Sequence, residues 1–96
     1  MNIKKLMKQA QQMQTHMEEQ MSTLEVEGSA GGGAVRVTLN GKKDILSLKI
    51  DPQVLSPENG ELVEEMVLAA FRDAGEKVDA EMSSMMQGFT GGLPIP

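Results

Sequence analysis

Ile3, Leu6, Met7, Ala10, Met13, Met17 and Met21 recur at spacings of three and four, so they fall on one stripe of a helix. Lys4, Lys5, Lys8, Gln11, Gln12, Thr15, Glu18 and Glu19 occupy the other face. No Gly or Pro interrupts the run, and its Lys, Gln, Met, Glu and Ala are good helix formers. The pattern predicts a helix over residues 2–21. Positions 3, 6, 10, 13, 17 and 24 also keep a heptad register, a short coiled-coil-like seam.

From Thr23 the period changes to two. Leu24 and Val26 alternate with Thr23, Glu25 and Glu27, which predicts a half-buried strand ending at the Gly-rich run 28–33. A second strand is expected over 35–39, with Val35, Val37 and Leu39 opposite Arg36 and Thr38. Asn40-Gly41 is a strong hairpin signal that predicts a type I′ turn, with φ > 0 at both central residues. The return strand runs from Asp44 to Ile50, and Ile45 breaks its polar face. Together these segments form a three-stranded antiparallel meander with one apolar side. Ser56-Pro57 then opens a second helix, capped by Ser56, with Leu62, Val63, Met66, Val67, Ala70, Phe71, Ala74 and Val78 as its stripe. Gly75 favours fraying or bending within that helix, Met82, Met85 and Met86 extend it, and Gly88 is its expected C-cap. The fold class is α+β, one domain over 1–90, followed by a flexible Gly/Pro tail over 91–96.

Composition adds two constraints. The 96 residues include two aromatics, nine methionines, one histidine and no cysteine. A chain this short buries only about 60–65% of its unfolded surface, so a second copy is expected to complete the core. The absence of cysteine excludes a disulfide framework and a thiolate metal site. No apolar stretch approaches the roughly 20 residues of a membrane span. The opening Met1-Asn2-Ile3-Lys4-Lys5 does not read as a signal peptide, so a cytoplasmic protein is expected.

Charge is unevenly distributed. Residues 1–50 carry seven Lys/Arg against five acids (+2), whereas residues 51–96 carry two against nine (−7). The first seventeen residues hold Lys4, Lys5 and Lys8 and no acid, so an anionic partner should meet the N-terminal half. The glycine run lacks the Lys and following helix of a phosphate loop. His16 has no second ligand or triad partner, and the adjacent pairs Glu18-Glu19 and Glu64-Glu65 splay apart on their helices. No catalytic residue, metal site or cofactor is expected. There is also no aromatic platform for stacking single-stranded bases.

Lys-Gln-Ala-Gln-Gln-Met-Gln (8–14), Leu-Glu-Val-Glu-Gly (24–28), Val-Arg-Val-Thr-Leu-Asn-Gly (35–41), Ile-Asp-Pro (50–52) and Ala-Ala-Phe-Arg-Asp-Ala (69–74) follow in order. This series resembles the YbaB/EbfC family of bacterial nucleoid-associated proteins over about residues 2–92. The resemblance implies a homodimer in which strands of two subunits build a central body and helices project like tweezer arms around a DNA duplex. Carried onto this chain, the DNA contacts fall on Lys4, Lys5, Lys8 and Gln12. The Lys42-Lys43 turn adds cations, with Arg72 and Lys77 as weaker contributors. The sequence departs from the family at the acidic, Met-rich end of the second helix and at Gly75. Leu24, Val26, Val35, Val37, Leu46, Leu48 and Phe71 are the expected dimer-interface residues. The expected partners are double-stranded DNA and a second copy, in the nucleoid, with DNA-repair or recombination proteins as further partners. A dimeric protein-interaction scaffold with Met-lined helices is the alternative.

Overall fold

The computed structural model describes the backbone of residues 2–91 and the side chains of residues 2–87. Helix α1 (Ile3–Thr23) leads into strands β1 (Glu25–Ala30), β2 (Val35–Asn40) and β3 (Ile45–Ile50). Two single 3₁₀ turns, Pro52–Val54 and Pro57–Asn59, connect β3 to helix α2 (Gly60–Gly91). The strands form one antiparallel sheet in the order β1-β2-β3, which is the predicted meander between two helices.

Paired residues share a side of a sheet, so the register fixes both faces. Val26 pairs with Leu39, Gly28 with Val37 and Ala30 with Val35; Val35 and Val37 in turn pair with Ile50 and Leu48. Helix α2 covers the β1 and β2 part of this apolar side with Met66, Ala70, Ala74 and Val78, spaced four apart. Together with Val26, Val35, Val37 and Leu39 they are the buried apolar residues among those described. Leu46 and Leu48, on the uncovered strand β3, stay exposed.

Gly28 explains why β1 runs on to Ala30 rather than ending at the glycine run. It lies in the strand, opposite Val37, where a Cβ would collide with the backbone of Ala70 and Ala74. Here glycine serves the close approach of helix to sheet rather than a break in the strand. The turn comes later, at Gly31, Gly32 and Gly33, which all have left-handed φ (65°, 68° and 95°).

The second hairpin is present, but its turn is not type I′. Neither Asn40 nor Gly41 has positive φ; Lys43 does, at 64°. The buried Asn40 side chain accepts hydrogen bonds from the N–H groups of Lys42 (2.9 Å) and Asp44 (3.0 Å). Its carbonyl accepts from Lys43 N–H at 2.9 Å. An Asx-type turn therefore replaces the two-residue one. A bulge after Thr38 places Ile45 opposite Leu39, which accounts for the apolar residue in the polar register of β3.

Both ends of α2 differ from expectation. Ser56 makes no side-chain cap hydrogen bond, and the segment after it is a 3₁₀ turn, so the α-helix begins at Gly60. The helix passes Gly75 without interruption and passes Gly88, ending at Gly91 rather than at a Gly88 cap. The rest of the expected tail lies outside the described residues.

Candidate nucleic-acid interface

The base of α1 meets the sheet at the β2–β3 turn. Gly41 N–H donates to the Met21 carbonyl at 2.7 Å, and a Cβ at position 41 would collide with the Met21 backbone. Beyond this junction no residue of α1 is buried, and its stripe from Ile3 to Met17 faces solvent. The C-terminal part of α2 passes the same end of the sheet, where Asp79 and Lys43 form an ion pair at 2.9 Å. The molecule extends 68 Å along its longest axis.

Lys4, Lys5, Lys8 and Gln12 are all exposed on α1. Asn2 caps the helix by accepting from Lys5 N–H at 3.4 Å, and the first turn holds no acid. Lys4 and Lys5 in the first turn oppose the macrodipole, an effect that fades by Lys8 in the second turn. The same placement adds the helix's own positive end to the lysine charges. None of the three takes part in an ion pair among the described residues.

The other sequence-derived cations fare differently. Lys42 is exposed beside an open groove of about 640 Å³ whose walls include Met13, Met17, Met21 and Glu18. Lys43 is held by Asp79. Lys77 is bound twice, to the Asp73 carboxylate at 3.2 Å and to the Glu27 carbonyl at 3.1 Å, which ties α2 to the outer edge of β1. Arg72 is exposed on α2.

Asp73 also accepts from Ser29 N–H at 3.0 Å. That backbone hydrogen bond, with the Lys77 ammonium, holds its carboxyl below the usual carboxylate range.

Of the expected self-association residues, Val26, Val35 and Val37 are buried within the protomer's own core, packed with α2. Leu24 and Phe71 are half-buried, while Leu46 and Leu48 are open. Sequence reasoning left out Arg36 and Lys49, which pair directly across β2 and β3 on the side of the sheet away from α2. The hairpin register was the signal that could have brought them together.

Among the described residues, no group of three or more His, Cys, Asp or Glu is arranged to hold a metal ion. No helix of the described residues is long and apolar enough to cross a membrane.

Comparison with known proteins agrees with this architecture. A crystal structure of an uncharacterized protein from Helicobacter pylori superimposes with a TM-score of 0.77 over 92% of both chains, at 22% identity, a likeness of fold. A nucleoid-associated protein of Gluconacetobacter diazotrophicus is 47% identical over 98 residues, covering 99% of this chain and 92% of that protein. One from Bartonella bacilliformis is 43% identical over 95 residues, covering 99% of this chain and 88% of that protein. One from Clostridium novyi is 46% identical over 99 residues, covering all of this chain and 87% of that protein. The sequence profile of the YbaB/EbfC DNA-binding family matches residues 1–93, and with relatives this similar along nearly its whole length the chain belongs to that family.

Proposed function

We propose that the chain is a non-enzymatic, nucleoid-associated protein that binds double-stranded DNA as a homodimer. Contacts run mainly to the phosphate backbone, with low sequence specificity, and serve nucleoid organisation or gene expression. The observation that carries this reading is the tip of α1: Lys4, Lys5 and Lys8 are exposed and, among the described residues, free of ion pairs on a helix that projects from the body. Lysines paired with phosphates release counterions and favour position over base identity.

A small core supports the second copy. The largest fully buried side chains among the described residues are three valines, Val35, Val37 and Val78. Ile3, Leu6, Met7, Leu46 and Leu48 meanwhile remain exposed, an apolar surface that a monomer leaves uncovered. A dimer would present the α1 lysines twice. The names of the relatives support the nucleoid as the place of action.

The test is a gel-shift titration of purified protein with a duplex. Retardation at about 50 mM salt that vanishes near 200 mM is expected for phosphate contacts. Lys4→Gln/Lys5→Gln/Lys8→Gln should abolish the shift while the elution volume of the dimer stays unchanged. No retardation of wild type well above micromolar protein would instead favour a protein-interaction scaffold. The Met-lined groove beside Lys42 is the feature such a scaffold would use.

A further inference from the structure

Arg36 and Lys49 are directly opposed in the β2–β3 ladder, and both are exposed. Like charges facing each other across an antiparallel pair are destabilising. The usual remedy is a neighbouring carboxylate, yet neither residue takes part in an ion pair among the described residues. Arg36 makes one long hydrogen bond, from Nε to the Gly33 carbonyl at 3.4 Å. On the same side of the sheet its β1 partner is the neutral Ser29, and the next row is Glu27, Thr38 and Ser47. Asp51 lines the same pocket and adds a negative charge there, but its carboxylate turns to the Gln53 N–H (2.9 Å from Oδ1) and makes no ion pair with either cation among the described residues.

The surroundings suit a bulky anion. A shallow pocket of about 240 Å³ joins Arg36 and Lys49 to Gly33, Ala34, Asp51 and Pro52, so two cations face one carboxylate there. The adjoining turn carries no side chain from Gly31 to Gly33, and a Cβ at Gly32 would meet nothing within 4 Å. The turn therefore puts no side chain of its own between Arg36 and an approaching sugar–phosphate backbone. A local rule broken without internal compensation marks a functional position more often than an accident of packing.

We infer that Arg36 and Lys49 form a second phosphate-binding patch, which takes the backbone of duplex DNA on the open side of the sheet. The inference rests on the DNA-binding reading above but not on the α1 lysines. Arg36 lies four residues, about 13 Å along the strand, from the Asn40 end where the foot of α1 (Met21) meets Gly41, and α1 itself is about 30 Å long, with its lysines at the far end. The two groups of cations are thus well separated, and the lysines at the tip of α1 cannot substitute for the pair.

The experiment measures duplex affinity by fluorescence anisotropy between about 50 and 200 mM salt for wild type, Arg36→Gln/Lys49→Gln, and the charge-retaining Arg36→Lys/Lys49→Arg. Each phosphate left without its cation should flatten the slope of log K against log salt by about 0.9, so the Gln pair should flatten it by about 1.8 per protomer. The charge-retaining pair should keep the wild-type slope. Backbone amide signals of Arg36 and Lys49 in wild-type protein should shift on adding the duplex, a readout that does not depend on any variant folding. Binding by wild type with an unchanged slope in the Gln pair and unmoved amide signals overturns this patch alone. Absence of duplex binding by wild type overturns the functional reading and the patch together.

Discussion

Gly28 lies against Ala74 with no room for a side chain between them: a Cβ on Gly28 would stand 2.6 Å from that of Ala74. The backbone of α2 therefore rides closest to the sheet at the middle of β1, where Ala70 and Ala74 are fully buried. Gly28→Ala should push the helix off the sheet and cost about 1–3 kcal/mol or more, the usual range for overpacking. Urea denaturation followed by circular dichroism checks this. A variant as stable as wild type would mean that helix and sheet do not meet this closely.

Leu39 is the largest buried aliphatic side chain that the sheet contributes, at 3% exposure. Leu39→Ala should destabilise the protein by about 2–5 kcal/mol, from reduced burial plus the cavity left behind. Leu48→Ala, on the uncovered strand, should cost the isolated protomer much less. If self-association covers β3, the Leu48 variant should show its deficit as a stability that depends on protein concentration. Chemical denaturation at two protein concentrations separates these effects.

Gly75 lies inside α2, and an added methyl would meet nothing within 4 Å. Gly75→Ala should stabilise the fold by about 1 kcal/mol through helix propensity alone. Thermal denaturation should show a higher midpoint, with duplex affinity unchanged.

Asp73 couples stability to pH. Because its folded-state pKa is lowered, its contribution is fully present above the ordinary carboxylate value and disappears as pH falls through the folded one. Wild type should therefore lose more stability than Asp73→Asn as pH drops below about 4, the ordinary aspartate value. The gap between the two proteins should be widest near neutrality. Urea midpoints at neutral pH and at pH values below that threshold provide the comparison, and parallel curves would rule out the Ser29 and Lys77 interactions as the cause.

Lys77 is occupied by Asp73 and Glu27, whereas Lys8 is free of ion pairs among the described residues. Lys77→Gln should leave the salt slope of duplex binding close to wild type, while Lys8→Gln should flatten it by about 0.9 for each phosphate it no longer neutralises. Equal effects of the two substitutions in anisotropy titrations would contradict this division of roles.

The change of hydrophobic period from 3.6 to 2 and back is local information, so element type and order were legible in the sequence, as was the one apolar side of the sheet. What escaped depends on neighbours distant along the chain. Gly28 looks like a breaker until α2, more than forty residues later, is laid against it. Asn40-Gly41 looks like a two-residue turn, but the Asn40 side chain captures two N–H groups and moves the left-handed position to Lys43. The cations show the same division. The α1 lysines were evident because their neighbours are local, whereas the ties of Lys43 to Asp79 and of Lys77 to Glu27 span 36 and 50 positions. Arg36 and Lys49 become one feature only after the strands are paired.

The junction between Met21 and Gly41 makes α1 a lever with a short fulcrum. A rod about 30 Å long converts a 5° rotation at its foot into roughly 2.5 Å of travel at its tip. Gly41 packs its bare backbone on Met21, and among the described residues one 2.7 Å backbone hydrogen bond joins the two across the turn. Substitutions at this pivot, a full helix length from Lys4 and Lys5, should therefore shift where the tip of the rod sits relative to the sheet.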